Sequence, residues 1–293
     1  MTNIVYFIQA IVLYIVMTVF RILPLDAASA LGSFMGRMIG PVMGVSKRAC
    51  KHLEMCFPGM PLAQKKTIIS GMWDNLGRTI AEYPHLETIA RSRMGIKNED
   101  TLKNALNQNA GCIFISAHIG NWETHVPTLL HRHGAAAVLT YRSLNNTYAD
   151  GILRHFRTLG GKLKAFPKTR DSGKKLIAAL KSKGILAILI DQKYNEGIKA
   201  DFFGMPAMTN PVFVQLAQKY KCPLIAVQCR RLNGARFELT VHDPIVLWDE
   251  SGTARPVESV IADAHKILEQ WIRETPEQWL WLHRRWKPST LKG

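Results

Sequence analysis

The chain has 293 residues, 47% of them hydrophobic, enough for one large α/β domain or two small ones with a real core. Its five cysteines, Cys50, Cys56, Cys112, Cys222 and Cys229, are odd in number and form no CxxC pair, which argues against a disulfide framework and a zinc site and for a reducing compartment. The formal charge of +16 favours anionic partners: membrane surfaces, phosphorylated substrates, acidic proteins or nucleic acid.

Residues 4–20 are apolar except for Gln9 and Thr18, and Arg21 closes the run. About 20 such residues span a bilayer, so the segment is borderline between a spanning helix, an interfacial helix and a buried core helix. No Lys or Arg precedes Ile4, and Arg21-Ile22-Leu23-Pro24 follows, unlike a signal peptide. Arg21, Arg37, Lys47 and Arg48 all lie on the C-terminal side, so a spanning segment would leave the body in the cytoplasm. Residues 27–45, rich in Gly and Met, predict an amphipathic helix pair on the membrane or on the core. Residues 1–45 thus form an expected membrane anchor with interfacial helices, and 46–293 an α/β domain whose core begins near 108.

Residues 62–83 carry helical spacing, with Ile68, Ile69, Met72, Trp73, Leu76 and Ile80 on or near one face, and Pro84 ends the helix. A short helix is expected near 100–106. From Gly111 onward, strand-like runs (112–117, 135–141, 162–166, 185–190, 223–229 and 236–241) alternate with helical ones (122–132, 148–159, 171–182 and 211–220), and a last helix covers 257–274. The alternation predicts a mixed, largely parallel sheet with helices on both faces, preceded by membrane-associated helices. Ligands in such sheets gather beyond the carboxyl ends of the strands.

His118 and Asp191 both sit at such ends. His118 follows the apolar run 112–117, Gly120 permits a tight turn, and Asn121 suits a helix N-cap. Glu123 falls in the first helical turns, where its carboxylate could fold back to one imidazole nitrogen. A base with an orienting acid fits proton removal from a hydroxyl. Arg142, past the strand at 135–141, suits a phosphate or an oxyanion. Asp191 and Gln192, where 185–190 ends, suit substrate contact or helix capping. Spacing alone makes Phe202-Phe203-Gly204 core aromatics at a turn.

His118-Ile119-Gly120-Asn121-Trp122-Glu123 resembles the HxxxxE signature of lysophospholipid-acyltransferase-like enzymes, and in its HxGNWE form the lipid A biosynthesis lauroyl/myristoyl acyltransferases of Gram-negative bacteria. Asn75-Leu76-Gly77-Arg78 with Glu82-Tyr83, Tyr141-Arg142-Ser143 with Asn145-Asn146, Asp191-Gln192, Phe202-Phe203-Gly204 with Thr209, and Pro276 through Trp286 occur in that family's order. The resemblance covers nearly the whole chain. Ser143 departs from the proline or lysine expected there, which weakens any inference about the acceptor.

The resemblance implies acyl transfer from acyl carrier protein, or acyl-CoA, to a hydroxyl of a lipid A precursor at the cytoplasmic side of a bacterial inner membrane. His118 would be the base and Glu123 its orienting acid. Asn121, Arg142, Asp191, Gln192, Phe202, Phe203 and Gly204 would contact substrate, with Phe202-Phe203-Gly204 beside the acyl pocket. No metal or organic cofactor is implied. A lysophospholipid or another glycolipid is the alternative acceptor. A nucleic-acid-binding protein is the remote alternative, disfavoured by the apolar N-terminus and the lack of a recognisable module. The basic stretch from Arg154 to Lys183 would meet an acidic carrier or anionic headgroups, or be a solvated face. Trp279, Trp281 and Trp286 with Arg284, Arg285 and Lys287 suit a membrane interface or a packed C-terminal element.

Overall fold

The computed structural model describes residues 2–108 and 110–286. Five helices come first: α1 (Thr2–Ile22), α2 (Leu25–Ile39), α3 (Ser46–Cys56), α4 (Leu62–Ala81) and α5 (Leu86–Ser92). Then follow β1 (Met94–Lys97), α6 (Glu99–Asn107), β2 (Cys112–Ser116), α7 (His125–His133), β3 (Ala137–Tyr141), α8 (Thr147–Arg157), β4 (Lys164–Pro167), α9 (Arg170–Lys181) and β5 (Ile185–Leu189). The chain continues through β6 (Ile198–Phe202), β7 (Met205–Thr209), α10 (Val212–Tyr220), β8 (Leu224–Asn233), β9 (Arg236–Pro244) and α11 (Val257–Glu274).

Seven strands form one sheet in the order β1-β9-β8-β2-β5-β3-β4. Its pairings are parallel except β8 with β9. The expected mixed, largely parallel sheet is therefore observed. Strand β2 shows why it is central: all five of its residues are buried. Ile113 and Ile115 enter the core under α3, α4, α9, α10 and α11. Cys112 and Phe114 enter the opposite core, under α5, α6 and α7. A period of two with both faces apolar demands helices on both sides.

Three strands were not expected. β1 is four residues at the sheet edge, and β6 with β7 form a separate antiparallel hairpin. Residues 27–45 give one helix, α2, followed by a 3-10 turn at Gly40–Val42, rather than a helix pair. α2 crosses α4 at backbone distance. A Cβ at Gly32 would lie 2.4 Å from the Gly77 carbonyl oxygen, and one at Gly36 would lie 2.1 Å from that of Trp73. Only hydrogen fits at those contacts.

α1 is a 21-residue helix whose segment Asn3–Ile22 has a mean hydropathy of 2.1, long and apolar enough to cross a membrane. One side is packed: Ala10, Met17 and Phe20 are buried. The helix is fixed to the body near both ends. Asn146 Nδ2 donates to the Tyr6 carbonyl at 2.8 Å, and the His85 ring meets the Phe20 carbonyl at 2.8 Å. Its other sides carry exposed Ile4, Phe7, Ile8, Val12, Ile15 and Ile22. The C-terminal tryptophans lie in the core instead of at an interface: Trp279, Trp281, Trp286 and Arg285 are all buried. Lys287 lies outside the described residues.

Candidate active site

The register of the sheet builds the site. β2 pairs with β5 so that Ser116 faces Leu189. Two residues further along each chain, the same offset brings His118 opposite Asp191. The His118 backbone N–H donates to Asp191 Oδ2 at 3.0 Å, and its Nδ1 lies 2.8 Å from Asp191 Oδ1. Trp279 Nε1 donates to Oδ2 at 2.9 Å. The carboxylate, with a 1% exposed side chain, is thus fully partnered. Burial pushes its pKa up, but the charge and hydrogen bonds of His118 reverse this and hold it well below the usual carboxylate range. In the neutral imidazole an ionised Asp191 fixes the proton on Nδ1 and leaves Nε2 as an acceptor.

That Nε2 faces the side-chain amide of Gln192, whose Nε2 lies 3.0 Å from it and 2.8 Å from Nε2 of His283. One amide therefore donates to two imidazoles. Burial, and then the charge of His118, push His283 down to about 4, so it is neutral near pH 7. Arg142 and Lys168 follow β3 and β4 directly. Together with His118 and Asp191 they occupy the carboxyl ends of four adjacent parallel strands. Arg142 is exposed at the mouth of the site.

The turn after His118 is held from outside. Gly120 has φ +58°, and a Cβ there would lie 2.2 Å from the Cys229 carbonyl oxygen. Asn75 Nδ2 donates to the Gly120 carbonyl at 2.9 Å. Asn121 caps the 3-10 turn Trp122–Thr124 through the Glu123 N–H, and its Nδ2 donates to Glu82 Oε2 at 2.8 Å. Glu82 pairs in turn with Arg231 at 2.5 Å, both deeply buried. The motif 75–83 thus sets the shape of the turn.

Glu123 departs from expectation. No hydrogen bond joins it to His118 among the described residues. Its carboxylate accepts from Arg157 Nε at 2.8 Å, Arg157 Nη2 at 2.9 Å, the Tyr83 hydroxyl at 2.7 Å and Trp122 Nε1 at 3.2 Å. Four donors outcompete one imidazole. Burial raises the Glu123 pKa, but Arg157 and Tyr83 outweigh it and the net direction is downward. The partner of the imidazole is Asp191.

A cavity of about 530 Å³ opens beside His118, within the 300–1,000 Å³ usual for ligand sites. It runs between the sheet and α7. His118, Trp122, Glu123, Arg142, Lys168, Gln192 and His283 surround its polar end, and Phe114, Leu129, Leu139, Val227 and Leu239 its apolar interior. Five expected contacts fall outside it. Phe202, Phe203 and Gly204 form the β6–β7 turn on the opposite side of the sheet, where Phe202 packs against Trp286 at 5.9 Å and beneath the Arg285 guanidinium at 5.1 Å. Asn121 is fully buried behind the turn. Asp191 touches the imidazole, not the cavity.

His283, Arg157, Tyr83 and Lys168 belong to the stretches 276–286, 154–183 and 82–83, whose patterns assign these four no individual role. Only the strand register and the packing of α8 reveal where they point. Arg157 belongs to the basic stretch but turns inward, whereas Lys164, Lys174, Lys175, Lys181 and Lys183 are exposed.

The profile of the family described as bacterial lipid A biosynthesis acyltransferase matches residues 2–288. The chain is 25% identical over 278 residues to a lipid A biosynthesis palmitoleoyltransferase of Escherichia coli K12, covering 90% of this chain and 86% of that protein. It is 23% identical over 279 residues to the lauroyltransferase of the same organism, with coverages of 90% and 87%. A lipid A biosynthesis acyltransferase of Haemophilus influenzae is 22% identical over 247 residues, with coverages of 82% and 76%. With a match along nearly its whole length and a cavity beside a strand-end histidine, the chain belongs to the bacterial lipid A biosynthesis acyltransferase family.

Proposed function

We propose that the protein transfers a fatty acyl group from an acyl thioester, on acyl carrier protein or coenzyme A, to a hydroxyl of a lipid A precursor, with His118 as the general base. The supporting observation is the His118–Asp191 pair at the mouth of an apolar cavity. The acyl chain lies in the cavity, with its thioester carbonyl beside His118. The acceptor hydroxyl displaces the Gln192 amide from Nε2 and gives up its proton as its oxygen attacks the carbonyl carbon. Asp191 stabilises the resulting imidazolium. The tetrahedral intermediate collapses, the carbon–sulfur bond breaks, and the leaving thiolate takes the proton from Nε2. Arg142 and Lys168, at the mouth, suit the developing oxyanion or a phosphate of the acceptor.

Asp191 replaces Glu123 as the orienting acid in this mechanism. Glu123 and Arg157 form the cavity wall beside the base. The helix α1 lies in the cytoplasmic face of the inner membrane along its length, since its ties at Tyr6 and Phe20 hold it against α8 and the residues before α5. The positive charge of the exposed lysines on β4 and α9 suits an acidic carrier or anionic lipid.

The test is acyl transfer by the full-length chain in phospholipid vesicles, read by mass spectrometry. A lipid A precursor and a lysophospholipid are offered with one acyl thioester. Added acyl mass on the lipid A precursor, lost in His118→Ala, is expected. Acylation of the lysophospholipid alone overturns the acceptor, and normal turnover by His118→Ala overturns the base.

A further inference from the structure

The interior of the cavity is not uniformly apolar. Ser116, His125 and Thr128 all line it. Ser116 ends β2 on the sheet wall, two residues before His118, so it lies deeper than the base by no more than about 7 Å. His125 and Thr128 come from the helix wall, at i and i+3 on one face of α7.

Two of these three side chains keep unused hydrogen-bonding capacity. His125 Nδ1 is 2.7 Å from the Trp122 carbonyl, so this nitrogen carries the proton and Nε2 is an acceptor. Ser116 Oγ is 3.3 Å from that Nε2 and donates to it, leaving the serine lone pairs unused. Thr128 is 1% exposed, and its Oγ1 has no partner among the described residues. A buried hydroxyl without a partner is destabilising unless a ligand completes it. A purely apolar chain would complete neither group.

We propose that Ser116, His125 and Thr128 form a polar subsite for a hydroxyl on the acyl chain, close to its carbonyl. The donor is then a 2- or 3-hydroxyacyl thioester. A hydroxyl matches the set because it both donates and accepts: its O–H reaches Ser116 Oγ, and its oxygen accepts from Thr128 Oγ1. The proposal rests on the cavity being the acyl site of the transfer reaction above.

The experiment uses the full-length enzyme in phospholipid vesicles with a lipid A precursor as acceptor. Three donor thioesters of one chain length are compared: unsubstituted, 2-hydroxy and 3-hydroxy. One hydroxyacyl isomer is expected to exceed the unsubstituted donor in kcat/KM by about tenfold or more. Thr128→Val is expected to bring that ratio close to one, and Thr128→Ser to retain it. The readout is a ratio within each variant, so partial loss of folded protein cancels. Equal or better use of the unsubstituted donor by the wild type overturns the proposal while leaving acyl transfer intact. A preference that survives both Thr128→Val and Ser116→Ala overturns it as well. No transfer from any of the three donors overturns the acyl-transfer reading, and this one with it.

Discussion

Asp191 and Glu123 are two buried carboxylates on either side of one strand end, and they have opposite partners. Asp191 is 73 residues away from His118 in sequence and bonds both its ring and its backbone. Glu123 is five residues away and bonds a guanidinium and a phenol instead. In a parallel sheet, neighbours are set by register across strands. Proximity in the chain counts for less once a tight turn has redirected the backbone. Asp191 holds the imidazole and Glu123 holds the guanidinium of Arg157; under the proposed mechanism the first cluster belongs to the chemistry and the second to the architecture.

Mutations test that division. His118→Ala should have the largest effect, a fall in kcat of about 10³–10⁴-fold in protein that remains folded. Asp191→Asn should follow at about 10²–10⁴-fold, because the amide no longer holds the imidazole in its basic tautomer. Glu123→Gln should behave differently. It leaves Arg157 a poorly paired, 15% exposed charge and should cost about 2–3 kcal/mol of stability in urea titration, with a loss of rate under about tenfold. If Glu123→Gln matched Asp191→Asn in rate at unchanged stability, the two carboxylates would have to exchange roles.

Acid titration sharpens the same contrast. The folded-state pKa of Glu123 is depressed, so its stabilising contribution is fully present above its unfolded value of about 4.3. That contribution is lost as pH falls through the folded value. The stability of Glu123→Gln should therefore fall less steeply below about pH 4.3 than that of the wild type, read as melting temperature against pH. The smallest effect belongs to a residue outside both clusters. Phe202→Leu should cost about 1–2 kcal/mol through lost packing on Trp286 and Arg285, with kcat/KM within about twofold.

Much of the framework was legible in the sequence. The expected strand at 185–190 is observed as Ile185–Leu189, and the helix at 257–274 as Val257–Glu274, because each combines an apolar pattern with clear stops. β1 is not legible, because four residues at an edge carry too little pattern. The hairpin of β6 and β7 was hidden by mixed polarity, its burial alternating only in part. In the site, the residues His118, Asp191 and Gln192 were identifiable from where their strands end. Which carboxylate reaches the ring was not, since that depends on the β2–β5 register and on Arg157 arriving from a helix 34 residues beyond Glu123. Phe202-Phe203-Gly204 shows the converse: the bare spacing suggested a packed turn, the resemblance suggested the acyl pocket, and the packed turn is what the fold contains.

The crossing of α2 over α4 has a mechanical consequence. Phe34, Met38 and Ile39 on α2 are exposed apolar side chains, while α4 carries the Asn75 that grips the Gly120 carbonyl. Between that apolar surface and α4 the contact is main chain against main chain at Gly32, Gly36 and Gly77. A displacement of α2 therefore bears directly on the backbone of α4, the helix whose Asn75 holds the turn after His118.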